Sequence, residues 1–179
     1  MSSWIGKNAY LTTAEMQNNA ACVIAYADKK GWSRNATYAM LGNMQAESGI
    51  NPAIWENLTP FSGGYGLVQW TPYTKYSSWA GVPWEGQGDR ELDRIAYESE
   101  NNIQWFRNAE LSIDPPITFS EFLKSTLDVK TLSNYWLWFY EHPADPYAAT
   151  QQTRQSYSLA WQDFFKLKIP AWLLFKFKR

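Results

Sequence analysis

Apolar side chains recur at helical spacing in two successive stretches near the N-terminus, and each stretch is bounded by residues that start and stop helices. In the first, Met16, Ala20, Val23, Ile24 and Ala27 form a stripe, Thr12 faces Glu15 as a capping box, and Gly31 ends the run. In the second, Ser33 is the cap and Gly49 followed by Pro52 is the stop, which predicts a helix over residues 34 to 48. At about 100° per residue, Ala36, Met40, Asn43 and Glu47 fall on one inward face of that helix. Between Asn51 and Trp70 the pattern breaks: Asn-Pro, Thr-Pro and Ser-Gly-Gly interrupt short aromatic pieces, which predicts loops and a small hairpin.

The remainder is again helical. A short helix is predicted over residues 72 to 81, starting at Pro72, then a loop to Gly88 holding Trp84 and Glu85. A long helix is predicted over 89 to 111, with Leu92, Ile95, Ala96, Ile103, Trp105 and Phe106 inside and its charges on a solvated face. Asp114-Pro115-Pro116 is a break, followed by helices over 118 to 125, capped by Thr118 with Glu121, and over 131 to 141. The last of these is apolar on nearly every side, so it reads as a buried central helix from whose end Glu141 and His142 emerge. Asp145-Pro146 starts a final helix of roughly 147 to 166. The pattern predicts a mainly α fold with a small β hairpin lobe, one domain over residues 1 to 168, and an apolar and basic tail or linker start at 169 to 179 that packs back on the domain.

Composition narrows the function classes. A chain of 179 residues, 45% hydrophobic, suits one core rather than two. With 16 basic and 17 acidic residues there is no electrostatic case for nucleic acid or an anionic membrane surface. One cysteine and one histidine give no internal disulfide and no metal-ligand cluster, so cofactor-free and metal-free chemistry is expected, with Cys22 a small buried thiol. The first residues lack the pattern of a secretory signal, and no stretch approaches the ~20 apolar residues of a membrane span, so a soluble chain is expected. The 17% aromatic content, with 11 tryptophans, is mostly core filler. Loop tryptophans such as Trp55, Trp70, Trp79 and Trp84 also suit flat walls for sugar rings.

The chemistry centres on Glu47. It stands in the last turn of its helix on the inward stripe, where partial burial and the negative end of the helix dipole both disfavour the anion. A carboxyl kept protonated near neutrality can protonate a leaving glycosidic oxygen, whereas an ordinary helix-end Glu is a solvated surface group. About twenty residues on, Gly63-Gly64-Tyr65-Gly66-Leu67-Val68-Gln69-Trp70 clusters glycines that let a backbone approach a ligand, beside the amide of Gln69. It lacks the lysine of a phosphate-binding loop.

Glu47-Ser48 followed by Gly66-Leu67-Val68-Gln69 is similar to the paired motifs of the goose-type and lytic-transglycosylase branches of the lysozyme superfamily. More closely, the run from Gly31-Trp32-Ser33 through Ala39 to Ser48, Ile50-Asn51-Pro52, Trp55, Gly64 to Pro72 and Phe139-Tyr140-Glu141 resembles the phage tail lysozymes over about residues 4 to 165. The resemblance implies a lysozyme-like fold with a cleft between a helical lobe and the 51 to 70 region. It implies Glu47 as catalytic acid on the β-1,4 bond between N-acetylmuramic acid and N-acetylglucosamine of bacterial peptidoglycan. Tyr65 and Gln69 match positions of that family lining the site beside the scissile bond, and Gly66, Trp70, Trp55, Tyr140 and Glu141 are further candidates for the substrate site; other phage tail proteins as partners and a place in the virion tail are expected from the same resemblance. A second carboxylate about 5 to 10 Å from the acid is the normal requirement for hydrolysis. Glu56 lies nine residues on, the separation of the acid pair in T-even phage lysozymes, which carry Asp there. Glu85, Asp89 and Glu141 are the other candidates. Attack by the muramyl 6-hydroxyl instead of water would make the domain a lytic transglycosylase. A glycan-binding or structural tail module without turnover, and a papain-like peptidase using Cys22 and His142, are the readings from other classes.

Overall fold

The computed structural model describes residues 3–59, 61–143 and 145–168, which form seven α-helices, one π-helical turn and a two-stranded antiparallel hairpin. In order these are α1 (Thr13–Lys30), α2 (Arg34–Ser48), β1 (Trp55–Leu58), β2 (Phe61–Tyr65), α3 (Thr74–Ala80), α4 (Gly88–Glu100), α5 (Phe119–Lys124), α6 (Val129–Trp136), the π turn Leu137–Glu141, and α7 (Ala148–Lys168). The capping box of Thr12 and Glu15 and the Ser33 cap both form, and Gly31 and Gly49 end their helices in left-handed geometry. None of the described helices is long and apolar enough to cross a membrane. The stretch 169 to 179, expected to pack back as a tail, lies outside the described residues.

Helix α2 is the axis of the helical lobe, buried on almost every side from Ala36 to Met44 and flanked by α6 and α7. Its approach to α7 is set by Gly42: a Cβ there would stand 2.0 Å from Ser158 Oγ, 2.5 Å from Ser158 N and 2.7 Å from the Arg154 carbonyl. The three helices are joined by a buried polar seam. Asn43 Nδ2 donates to Ala39 O at 2.9 Å and to Ser133 O at 3.2 Å, and Ser158 Oγ donates to Ser133 Oγ at 3.1 Å. Closing the seam satisfies side chains that would be costly to bury alone.

The hairpin pairs Trp55 with Tyr65, Asn57 with Ser62 and Leu58 with Phe61, with an irregularity between Trp55 and Asn57. Glu56 sits at that irregularity, and its Oε2 accepts the Gly64 N–H at 2.9 Å.

Several helices depart from the sequence reading. The helix expected over 89 to 111 stops at Glu100, because Asn102 and Gln104 take up left-handed backbone (φ 52° and 58°) that a helix cannot continue through. Beyond it, Trp105 still packs inside, stacked on Phe119 at 4.9 Å, but Phe106 is half-exposed. The charges of α4 are not all solvated: Glu91 and Glu98 are buried on the same face as Ile95. The helix expected over 131 to 141 starts earlier, with Asp128 as cap accepting Thr131 N–H at 3.0 Å, and opens at Leu137 into the π turn, where His142 N–H donates to Leu137 O at 3.1 Å. The short and final helices also shift by one or two residues, to Thr74–Ala80 and Ala148–Lys168.

Glu91 explains the most demanding glycine. Its Oε2 accepts the Leu67 N–H at 2.7 Å, and a Cβ on Gly66, whose φ is 78°, would lie 2.5 Å from that oxygen. The glycine of the 63 to 70 stretch thus admits a buried carboxyl of its own chain. Burial holds Glu91 well above the usual carboxylate range, partly opposed by the Leu67 bond.

Two outcomes follow from this packing. Gly42→Ala is expected to lower stability by about 3 kcal/mol, because backbone as well as side-chain atoms of α7 must move; urea unfolding measures it, and a midpoint equal to wild type would contradict the close contact. Glu91 keeps its proton when folded and loses it near the ordinary value, about 4.3, when unfolded, so its contribution to stability is present at low pH and lost as pH rises through the folded-state value. Glu91→Gln removes that titration, so its stability relative to wild type is expected to be greater at about pH 8 than at about pH 5; parallel curves would show Glu91 ionised in the folded protein.

Candidate active site

The hairpin lobe and the helical lobe enclose an open cavity of about 390 Å³, into which both α2 and the π turn end. Glu47, Glu56 and Glu141 reach it from α2, β1 and the π turn respectively, and Lys75 of α3 and Gln104 share it.

Glu47 is 22% exposed, and its Oε1 accepts a bond from Arg154 Nη2 on α7 at 2.5 Å, with Arg154 itself 10% exposed. The guanidinium is held in turn by α2, its Nη1 lying 3.4 Å from Asn43 O and from Asn43 Oδ1. The guanidinium thereby fixes where the Glu47 carboxyl points. Arg154 is distant in sequence, and no local motif signals it.

Glu141 is the carboxyl that the structure holds well above its usual range. Burial is the main cause and the charge of Glu47 the second; Arg154 and the bond from Trp136 Nε1 to Glu141 Oε1, 2.6 Å long, pull the other way and do not offset them. The π turn makes the Trp136 bond feasible. In an α-helix residue i+5 lies about 140° round from residue i, whereas an i→i+5 turn brings it back beneath.

The other residues singled out in the sequence fall in different places. Gln69, at φ 51°, spends its amide N–H groups on the carbonyls of Ile54 (3.2 Å) and Gly66 (3.0 Å), and its Oε1 at the cavity accepts no hydrogen bond among the described residues. Trp70 reaches the cavity with little exposed surface. Its ring stacks on Tyr76 and its Nε1 donates to Glu98 Oε1 at 3.1 Å. Tyr140 is tied to the same acid, its hydroxyl donating to Glu98 Oε2 at 2.7 Å. Arg94 Nε completes that group at 2.8 Å, so Glu98 joins Trp70, Tyr140 and Arg94 behind the cavity. Sequence reasoning missed this acid, although Glu91, Ile95 and Glu98 recur at helical spacing and mark one face.

Tyr65 stands behind the wall. It is fully buried, accepts the Gly86 N–H at 2.8 Å and meets Trp55 edge-on at 5.0 Å. Of the four loop tryptophans, Trp55 and Trp70 line the cavity. Trp84 packs behind Trp55, and Trp79 is covered by the Arg90 guanidinium 4.4 Å from its ring centroid. Exposed Tyr10, Phe61 and Tyr73 extend the aromatic surface around Trp55. Glu85 and Asp89 are elsewhere, Asp89 accepting Trp4 Nε1 at 2.9 Å. Cys22 lies in α1 beside Trp4, with burial pushing its thiol up, while the His142 ring meets Phe106 and its Nε2 lies 3.0 Å from Phe139 O. The two are not assembled as a catalytic pair. Among the described residues, no group of three or more His, Cys, Asp or Glu side chains is placed to hold a metal ion.

A cavity lined by carboxylates and aromatic rings, between a helical lobe and a hairpin, is suited to general acid chemistry on a saccharide. Over 156 residues the chain is 44% identical to morphogenesis protein 1 of Bacillus phage B103. That match takes in 84% of this chain and 41% of the relative, so the chain spans about two-fifths of that protein's length. The family model for phage tail lysozymes matches residues 18–165, which runs from α1 into α7 and includes every residue lining the cavity except Tyr10. The chain belongs to the phage tail lysozyme family.

Proposed function

We propose that this domain is an N-acetylmuramidase that cuts the β-1,4 bond between N-acetylmuramic acid and N-acetylglucosamine, acting from a phage tail on the bacterial cell wall. The observation that carries the proposal is the position of Glu47: a partly buried carboxyl at the end of α2, opening into a cavity that Trp55 and Glu141 also line. Family membership supports the substrate class, and the relative's name supports a role in the virion.

In this reading a sugar ring lies against Trp55, whose indole face supplies apolar contact while the ring hydroxyls remain free to hydrogen-bond. Gln69 Oε1 accepts from a hydroxyl or acetamido N–H of that sugar, its orientation fixed by the two bonds its amide nitrogen makes to the loop. Glu47 protonates the glycosidic oxygen as the C–O bond breaks, and Arg154 stabilises the carboxylate that remains. Glu56 orients the attacking water from the hairpin side, with one oxygen pinned by Gly64 N–H and the other directed to the water. Water as nucleophile leaves a reducing end; attack by the muramyl 6-hydroxyl leaves a 1,6-anhydro end.

Glu47→Gln keeps the size of the side chain and removes the proton. The rate of turbidity loss of purified cell walls is expected to fall by a factor on the order of 10²–10⁴, with retained pelleting on walls; rates equal to wild type would remove Glu47 from the chemistry. Mass spectrometry of digested peptidoglycan is expected to show reducing muramyl ends, with Glu56→Gln releasing them about a hundredfold more slowly. Anhydromuramyl products would assign the transglycosylase reaction instead, and unchanged release in the variant would leave Glu56 as a brace of the hairpin.

A further inference from the structure

The cavity holds a second glutamine that the proposed cleavage does not use. Gln104 lies in the loop after α4, is half-buried, and lines the cavity together with Gln69, Tyr140 and Glu141. Its Nε2 donates to Tyr140 O at 2.8 Å, and two residues on, Phe106 N–H donates to Phe139 O at 3.1 Å, so the loop is fastened to two successive carbonyls of the π turn. A carbonyl oxygen can only accept, and this settles which end of the amide faces Tyr140: the nitrogen is engaged there, and Oε1 is the end left over. That oxygen accepts no hydrogen bond among the described residues. Gln69 repeats the arrangement from the turn after β2, its Nε2 engaged by the carbonyls of Ile54 and Gly66 and its Oε1 without a donor. Both glutamines hold left-handed backbone, at φ 51° and 58°, which a residue with a side chain rarely adopts. Tertiary bonds rather than local preference therefore place these two amides, and each presents an oriented acceptor.

We propose that Gln104 is a substrate-binding residue whose Oε1 accepts the acetamido N–H of a sugar in the cavity, so that the site selects N-acetylated glycans. The inference rests on the saccharide reading of the cavity for its ligand. A sugar hydroxyl donates or accepts and suits either end of an amide, whereas an acetamido N–H only donates, so it is the group that an oriented acceptor distinguishes. Each sugar of a chain built from N-acetylated hexosamines carries one. Because the nitrogen of Gln104 is bonded to the carbonyl of Tyr140, next in sequence to Glu141, a sugar held by Oε1 is registered against the π turn. The bland role for Gln104 is that of a brace which caps the Tyr140 carbonyl, and that role needs only the nitrogen.

Two variants separate binding from bracing. Gln104→Lys keeps a donor for Tyr140 O and has no acceptor; Gln104→Met keeps neither. The probe is chitotetraose labelled with ¹⁵N at its acetamido groups, a neutral ligand whose affinity does not follow the charge of the lysine variant. On binding to wild-type protein, an acetamido N–H is expected to move downfield in ¹H–¹⁵N spectra. Both variants are expected to lose that shift and to bind about three- to tenfold more weakly, which is the worth of one hydrogen bond. Full binding by Gln104→Lys with loss in Gln104→Met would make the residue a brace of the π turn and overturn the proposal. Full binding by both variants, or no downfield acetamido N–H with wild-type protein, would overturn it as well. If Gln104→Met does not fold, the lysine variant and the wild-type spectrum decide. Turnover is read separately: wild-type protein that binds chitotetraose in this way but cuts no peptidoglycan fails the muramidase reading and leaves Gln104 as assigned, whereas cutting and binding that are unchanged in both variants keep the muramidase reading and reject this one.

Discussion

The ion pair between Glu47 and Arg154 is the interaction on which the architecture of the cleft depends. It joins the last turn of α2 to α7 across a distance in sequence that only close helix packing can close, and that packing is possible because position 42 has no side chain. Removing one partner of such a poorly exposed pair leaves the other charge inside, typically at a cost of about 3–5 kcal/mol. Retaining a charged pair here fixes the direction of the Glu47 carboxyl, which apolar packing of similar volume would not do. Asn43 holds the guanidinium from the same helix, so acid and counter-charge are mounted on one rigid frame.

A second buried acid group organises the opposite side. Glu98 gathers Trp70, Tyr140 and Arg94, and Glu91, about two turns earlier on the same helix, holds the 66 to 67 turn. Together they mount the Gln69 loop and the Tyr140 wall on a single face of α4. The motif that reads as a ligand-binding glycine turn is thus first a support built around Glu91, and its contribution to the cavity is the amide of Gln69. The π turn adds the remaining part: by widening one turn after Trp136 it swings Glu141 to the cavity while keeping Leu137 and Phe139 in the core.

How much of this can be read from sequence follows from the range of each interaction. Caps, stops and stripes are local, so α1, α2 and the hairpin lie where Thr12, Ser33, Gly49 and the Asn-Pro and Gly-Gly breaks put them. The end of α4 was not legible, because apolar residues at 103 and 105 continue the helical rhythm while tertiary bonds hold them in a loop: Gln104 Nε2 donates to Tyr140 O at 2.8 Å and Trp105 Nε1 to Ile117 O at 2.9 Å. Charged residues on α4 read as solvated because a buried Glu is recognisable only by its partners, and Leu67, Trp70 and Tyr140 come from other elements. For the site, Glu47 was legible from its helix and from the second motif. Arg154 was not, and neither was the bond from Trp136 to Glu141, since α periodicity puts those two side chains on different faces.

What remains between geometry and function is whether a muramyl glycan sits in this cavity with its scissile bond at Glu47. A crystal structure of the Glu47→Gln protein with a tetrasaccharide of alternating N-acetylglucosamine and N-acetylmuramic acid tests this most directly. The glycosidic oxygen on the reducing side of a muramyl residue is expected within about 2.6–3.2 Å of the residue 47 amide, with an adjoining sugar ring on Trp55. A glycan seated away from the cavity, or one whose scissile oxygen lies nearer Glu56 or Glu141 than residue 47, would contradict the assignment.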